Sequence, residues 1–164
     1  MIALPMEPLE TNAAQLLGID SSRLLLARWD PSAPPEGDYQ IWPNLEPFAP
    51  GRAYWVKLFA DATVNLQGLL PPENQQFLLP VALGWNMIGS PRRQSVPLAN
   101  LQVQVGSDDP ISLQEAISQG FLQQVIYHYV PGAGYEQADT LEPYEGYWVR
   151  CLLPGGLRLI FPAL

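Results

Sequence analysis

Phe48-Ala49-Pro50-Gly51-Arg52-Ala53-Tyr54-Trp55-Val56-Lys57 lies over Leu141-Glu142-Pro143-Tyr144-Glu145-Gly146-Tyr147-Trp148-Val149-Arg150 without a gap. Both stretches run from a Pro through a small residue into Tyr-Trp-Val and a base, and these aromatic and β-branched side chains suit a half-buried pleated strand. Three further blocks keep the same order. Met1-Ile2-Ala3-Leu4-Pro5 matches Met87-Ile88-Gly89-Ser90-Pro91, and Trp29-Asp30-Pro31 matches Tyr129-Val130-Pro131. Thr63-Val64-Asn65-Leu66 resembles Gly156-Leu157-Arg158-Leu159. Blocks recurring in order are the signature of an internal repeat. The chain therefore reads as two copies, residues 1–72 and 73–164, with Leu70-Pro71-Pro72-Glu73-Asn74 as the link between them.

Each copy follows one plan. An opening strand ends at a Pro, and a short helix follows. In the second copy this helix is Leu113 to Gln119, started by Ser112 and Glu115 as a capping box and stopped by Gly120. Asn12 to Leu17 with Gly18 is the shorter equivalent. A strand comes next, Leu24 to Trp29 or Val125 to Tyr129, and then a Pro/Gly-rich excursion, Pro31 to Pro50 or Pro131 to Pro143. The Tyr-Trp-Val strand and a last strand at Val64 or Leu157 complete the copy. Leu157, Leu159 and Phe161 alternate as one face of a strand. The second copy carries an insertion near Leu98 to Pro110, where Leu101, Val103 and Val105 alternate as an extra strand before the Ser107-Asp108-Asp109-Pro110 turn.

Composition agrees with this plan and excludes several classes. The 164 residues suit one ordinary domain or two small ones. With 18 Pro and 13 Gly, the chain is punctuated throughout, which favours short strands over long helices. An apolar fraction of 48% suffices for a core, so wholesale disorder is excluded. The net charge of −8 argues against nucleic acid, whose phosphates need clustered Lys and Arg. No apolar run reaches the length that spans a bilayer as a helix. A single cysteine, Cys151, makes neither an internal disulfide nor a zinc cage. Lys57 is the only lysine. This lightly charged surface fits a protein that packs against neighbours or works outside the cell, and GC-rich codon usage would yield the same composition.

The second copy opens with Leu83-Gly84-Trp85-Asn86 before Met87, whereas the first starts at Met1. Its first strand is therefore short or missing, and the edge left at residues 1–5 must be covered. The chain is a processed piece of something longer, or the terminus simply differs, or a neighbouring molecule adds a strand there. No basic start followed by an apolar stretch marks a signal peptide.

Gly84-Trp85-Asn86-Met87-Ile88-Gly89-Ser90-Pro91 and Gly146-Tyr147-Trp148-Val149 resemble the tandem GWN…GYWV β-rich repeat modules of bacterial and archaeal secreted and surface proteins. The likeness covers nearly the whole chain. The first copy departs from it in lacking Gly-Trp-Asn and in having Ala53 where Gly146 stands. The resemblance implies an extracellular or cell-surface location and a binding or scaffolding role, and it carries no catalytic residues.

For chemistry, Trp55 and Trp148 read as core residues at matching points, with an aromatic platform for sugar as the alternative reading of the pair. Trp42 and Tyr39 in the first excursion and Tyr135 in the second are the candidate ligand-binding residues, able to stack on a sugar ring or to pack their own loops. His128, the only histidine, aligns with Arg28 and reads as solvent-facing, not catalytic. Cys151 reads as a small apolar filler. Asp108, Asp109, Glu136, Asp139, Glu142 and Glu145 form no calcium-loop spacing and read as an acidic rim; a calcium site stays open. No metal ligands, catalytic residues or cofactor are assigned.

The expected fold is mainly β with a minority of helix. Two pseudo-twofold-related repeats share one barrel-like or sandwich-like unit, with one short helix each. The expected function is a non-enzymatic structural or interaction module of an extracellular or surface protein, partnered by protein or by its own copies. The alternative is a carbohydrate-binding module using Trp42, Tyr39 and Tyr135. Nucleic acid and membrane insertion are not expected.

Overall fold

The computed structural model describes residues 1–59, 61 and 63–164. Its first half runs β1 (Ile2–Ala3), β2 (Glu7–Pro8), α1 (Ala13–Leu17), β3 (Leu25–Asp30), β4 (Asp38–Ile41), β5 (Ala53–Lys57) and β6 (Gly68–Leu69). The second half runs β7 (Phe77–Val81), β8 (Gly84–Gly89), β9 (Val96–Pro97), β10 (Gln102–Gln104), β11 (Ile111–Ser112) and α2 (Leu113–Ser118). It ends with β12 (Tyr127–Val130), β13 (Gly134–Gln137), β14 (Thr140–Leu141), β15 (Gly146–Cys151) and β16 (Leu157–Phe161). Among the described residues, all strand pairing is antiparallel. The protein is mainly β, with two short helices among the described residues.

Local chemistry explains the helices. The Asn12 side chain accepts from the Ala14 and Gln15 N–H groups, and Gly18 closes α1 in the left-handed conformation at φ 63°. Ser112 Oγ accepts from the Glu115 N–H at the start of α2. The Glu115 carboxylate turns to Gln119 rather than back to the cap, so the expected capping box is half formed.

One four-stranded sheet has the order β1-β5-β3-β4, and another has the order β8-β15-β12-β13. Their registers can be read side by side. Ile2 faces Tyr54, and Ile88 faces Tyr147. Ala27 faces Trp55, and Tyr127 faces Trp148. Trp29 faces Tyr39, and Tyr129 faces Tyr135. A third four-stranded sheet, β11-β10-β16-β7, belongs to the second half.

The sheets do not close into a barrel. β4 and β13 each end a sheet with one neighbour only, so the barrel form of the expectation is corrected to open, packed sheets. Buried apolar side chains gather in three places. One cluster lies in the first half around Leu4, Leu16, Leu26 and Tyr54, and a larger one in the second half around Leu79, Ile88, Leu141 and Tyr147. The third, smaller cluster joins Ala3 and Ala53 to Met87 and Trp148 where the halves meet.

Residues 1–5 are covered from within the chain. Ile2–Ala3 pairs with β5 on one side. On the other side Ile2 bridges Glu145, and the Ala3 N–H donates to the Tyr144 carbonyl at 3.0 Å. The second half reciprocates, with Ile88 bridging Arg52 and the Gly89 N–H donating to the Gly51 carbonyl at 3.0 Å. Strand addition at residues 1–5 would have to displace these bonds.

Two further expectations are corrected. Val64 and Leu66 are not in a strand; they pack, partly buried, on the first-half cluster. The Pro/Gly-rich excursions are not simple loops, because each folds back as a hairpin strand, β4 or β13. The inserted strand is present as β10, with Leu101 and Val103 fully buried.

Candidate functional site

Side chains alternate across a strand, so Trp29 turns to one face of β3 while Arg28 and Asp30 turn to the other. The Trp29 face meets its counterpart from the second half, and an aromatic cleft results. Hairpin pairing brings Tyr39 beside Trp29, with ring centroids 5.1 Å apart and planes at 75°. Across the junction Trp29 meets Trp148 edge-on at 6.5 Å. Trp148 in turn meets Trp85 edge-on at 6.1 Å, and Trp85 lies tilted against Tyr127 at 6.2 Å. Tyr135 and Gln123 complete the lining. The cavity is about 510 Å³ and opens to solvent.

Edge-to-face contacts fix the angles between these rings, the positive edge of one on the negative face of its neighbour. Trp148 is the anchor and is buried, while Tyr39 and Tyr135 stand exposed at the mouth. Burial raises the Tyr39 hydroxyl above the ordinary phenol value, with the Trp55 indole opposing and the nearby Tyr135 adding to the effect. The Tyr39 hydroxyl therefore stays neutral at physiological pH, and a phenol hydroxyl can donate or accept. Behind the wall, the Arg150 guanidinium sits 5.7 Å from the Trp85 ring centroid and fixes that indole by a cation–π contact.

The structure thus brings together two of the three candidate residues from the sequence, Tyr39 and Tyr135. Trp42 does not join them; it packs, partly buried, against the first-half cluster beside Leu26 and Phe48. The lining also includes Trp29, Trp85, Gln123 and Tyr127, which sequence reasoning left out, and Trp148, which it read first as core and second as a sugar platform. Trp55 and Trp148 both belong to the junction, yet Trp55 is only half-buried and stacks edge-on to Tyr129 at 5.0 Å.

His128 is corrected from solvent-facing to half-buried, tilted against Tyr147 at 6.0 Å. Cys151 is buried, and burial pushes its thiol up, which suits an inert filler. Asp108 and Asp109 are exposed, and among the described residues no group of three His, Cys, Asp or Glu side chains is placed to hold a metal ion. Among the described residues no helix is long and apolar enough to cross a membrane.

The lining contains no carboxylate, imidazole or thiol. What it can do is stack, exclude water, and exchange hydrogen bonds through one amide, the tyrosine hydroxyls and the indole N–H groups. No protein-family model matches the chain, and no match was found among curated proteins or solved structures.

Proposed function

We propose that the chain is a non-enzymatic interaction module of an extracellular or surface protein, and that the aromatic cleft is its ligand-binding surface. The observation that carries this is the convergence of Trp29, Tyr39, Trp85, Tyr135 and Trp148 on one open cavity of about 510 Å³. That volume falls within the range of small-molecule sites. Rigid aromatic faces with a few neutral polar groups fit a sugar, whose rings carry apolar C–H faces and hydroxyl edges. A carbohydrate ligand is therefore the reading the lining supports best. The extracellular location rests on the motif resemblance alone.

The reading also takes residues 1–72 and 73–164 as duplicates packed about a pseudo-twofold. Support comes from the matched sheet orders and registers, and from the reciprocal bonds to the Gly51 and Tyr144 carbonyls. Gly51 and Tyr144 also share a left-handed backbone, at φ 80° and 69°. Tyr54 and Tyr147 each accept, through the hydroxyl, the backbone N–H five residues back, from Ala49 and Glu142.

A glycan array probed with the whole chain tests the function. The expected result is a set of hits that Tyr135→Ala removes and Trp42→Ala leaves. Tyr135 is exposed, so its removal does not unfold the protein. A blank array, or hits indifferent to Tyr135→Ala, would overturn the sugar reading.

A further inference from the structure

A second cleft lies on the opposite face of β3, where Arg28 and Asp30 point. It measures about 440 Å³ and sits between the halves. Arg28 and Arg52 reach it from the first half and Arg158 from β16 of the second, with Ser32, Gln104 and Asn86 around them. These are three of only eight basic residues in a chain of net charge −8. A solvated surface of this composition has no reason to gather its scarce arginines in one concavity.

The partners of these guanidinium groups leave positive charge over. Arg28 is paired with Glu46 at 2.8 Å, approached from the exposed side. Arg158 donates only to the neutral Gln104 amide oxygen at 3.3 Å. Arg52 is half-buried and, among the described residues, has no ion pair. Asp30, the one acid of the lining, is already engaged. Its Oδ1 accepts from the Ser32 N–H and hydroxyl, and its Oδ2 accepts from Gln40 Nε2. Burial and the neighbouring Arg28 charge both weaken the hold of Arg52 on its proton, the first more strongly. Two like charges sharing a part-dry cleft repel, and an anion seated between them removes that repulsion.

We propose that this cleft binds a small oxyanion-bearing ligand, a carboxylate or a phosphate, gripped by Arg52 and Arg28 from one half and by Arg158 from the other. A planar guanidinium fork matches either oxyanion by paired hydrogen bonds. The site is separate from the aromatic cleft, since the two lie on opposite faces of β3, and it stands whether or not that cleft takes sugar. Because its arginines come from both halves, an occupied site ties the halves together.

The test is thermal unfolding and calorimetric titration of the whole chain with sodium malonate and with inorganic phosphate, against sodium chloride at matched ionic strength. One or both oxyanions should raise Tm saturably beyond the chloride control, and the better of the two identifies the ligand source. Arg52→Gln and Arg158→Gln should each weaken that binding about tenfold or more, the worth of one charge-assisted pair. Arg158 is exposed, so its variant keeps the fold if Arg52→Gln does not. Arg23→Gln, which changes the net charge equally but lies outside the cleft, should leave the affinity unchanged. Absence of a shift beyond chloride with both oxyanions would overturn the proposal. So would equal weakening by Arg23→Gln, which would mark the effect as general charge.

Discussion

Gly89→Ala strikes the point where the halves touch. A methyl at Gly89 would run into the Cβ of Ala3, far inside van der Waals contact, while the next nearest atoms are the Glu145 oxygen at 3.3 Å and the Arg52 oxygen at 3.5 Å. Gly89 does not have a positive φ, so alanine is allowed by the backbone and the cost is purely one of space. Overpacking of this kind costs about 1–3 kcal/mol. A clash this close also forces the junction apart without removing all of the strain, so the Ala3-to-Tyr144 and Gly89-to-Gly51 bonds are lost in addition, at about 1 kcal/mol each. Against this, alanine in a strand gains about 0.5–1 kcal/mol over glycine. The net expectation is a loss of about 2–4 kcal/mol in urea unfolding. Ala3→Gly added to Gly89→Ala removes the clashing methyl and leaves only the 3.3 Å contact. The double variant should therefore recover to within about 1.5 kcal/mol of the parent, the remaining loss being the strand glycine at position 3. A Gly89→Ala loss below about 1 kcal/mol would refute the reasoning. So would a double variant no more stable than the single one.

Arg92 is fully buried and donates to the Pro72, Gln75 and Pro162 carbonyls at 2.9, 2.5 and 2.9 Å, tying the link between the halves to the carboxyl end. Arg92→Met should cost about 3 kcal/mol or more by removing three charge-assisted hydrogen bonds that hold the link, read by urea unfolding and by faster proteolysis within 70–76. Trp148→Ala, which removes a buried anchor, should cost about 3–5 kcal/mol in the same assay. Burial raises the Tyr54 and Tyr147 hydroxyls above the phenol value of 10.0. Folding then favours the neutral form, so this stability is intact below pH 10 and is lost above it as the unfolded chain ionises. Phenolate absorbance from Tyr54 and Tyr147, together with the similarly raised Tyr39, should lag behind that of the unfolded chain.

Local signals carried the fold where they were strong. Asn12 and Ser112 start helices because a short polar side chain can reach free N–H groups, and both do so. Tyr-Trp-Val marked β5 and β15 because those residues need a half-buried pleat. Hairpin strands β4 and β13 stayed hidden because Pro and Gly around them read as loop, although Pro131-Gly132 is itself a turn signal. Phe77–Val81 was obscured by Pro80, which fits at a sheet edge, where β7 lies. The cleft was legible only in part. Tyr39 and Tyr135 stand in excursions and invite a binding reading, but Trp29, Trp85 and Trp148 sit in strands, where burial is the ordinary expectation. That their faces converge depends on how the halves dock, which no local pattern encodes. Trp42 misled for the converse reason, since a loop position does not reveal that the indole packs back on the first-half cluster.

The five indole N–H resonances offer the most direct reading of the binding surface, titrated with a glycan that the array returns as a hit. Trp29, Trp85 and Trp148 should shift together and saturate at one affinity, while Trp42 stays in place. Movement of Trp42 with the three cleft indoles silent would contradict the account.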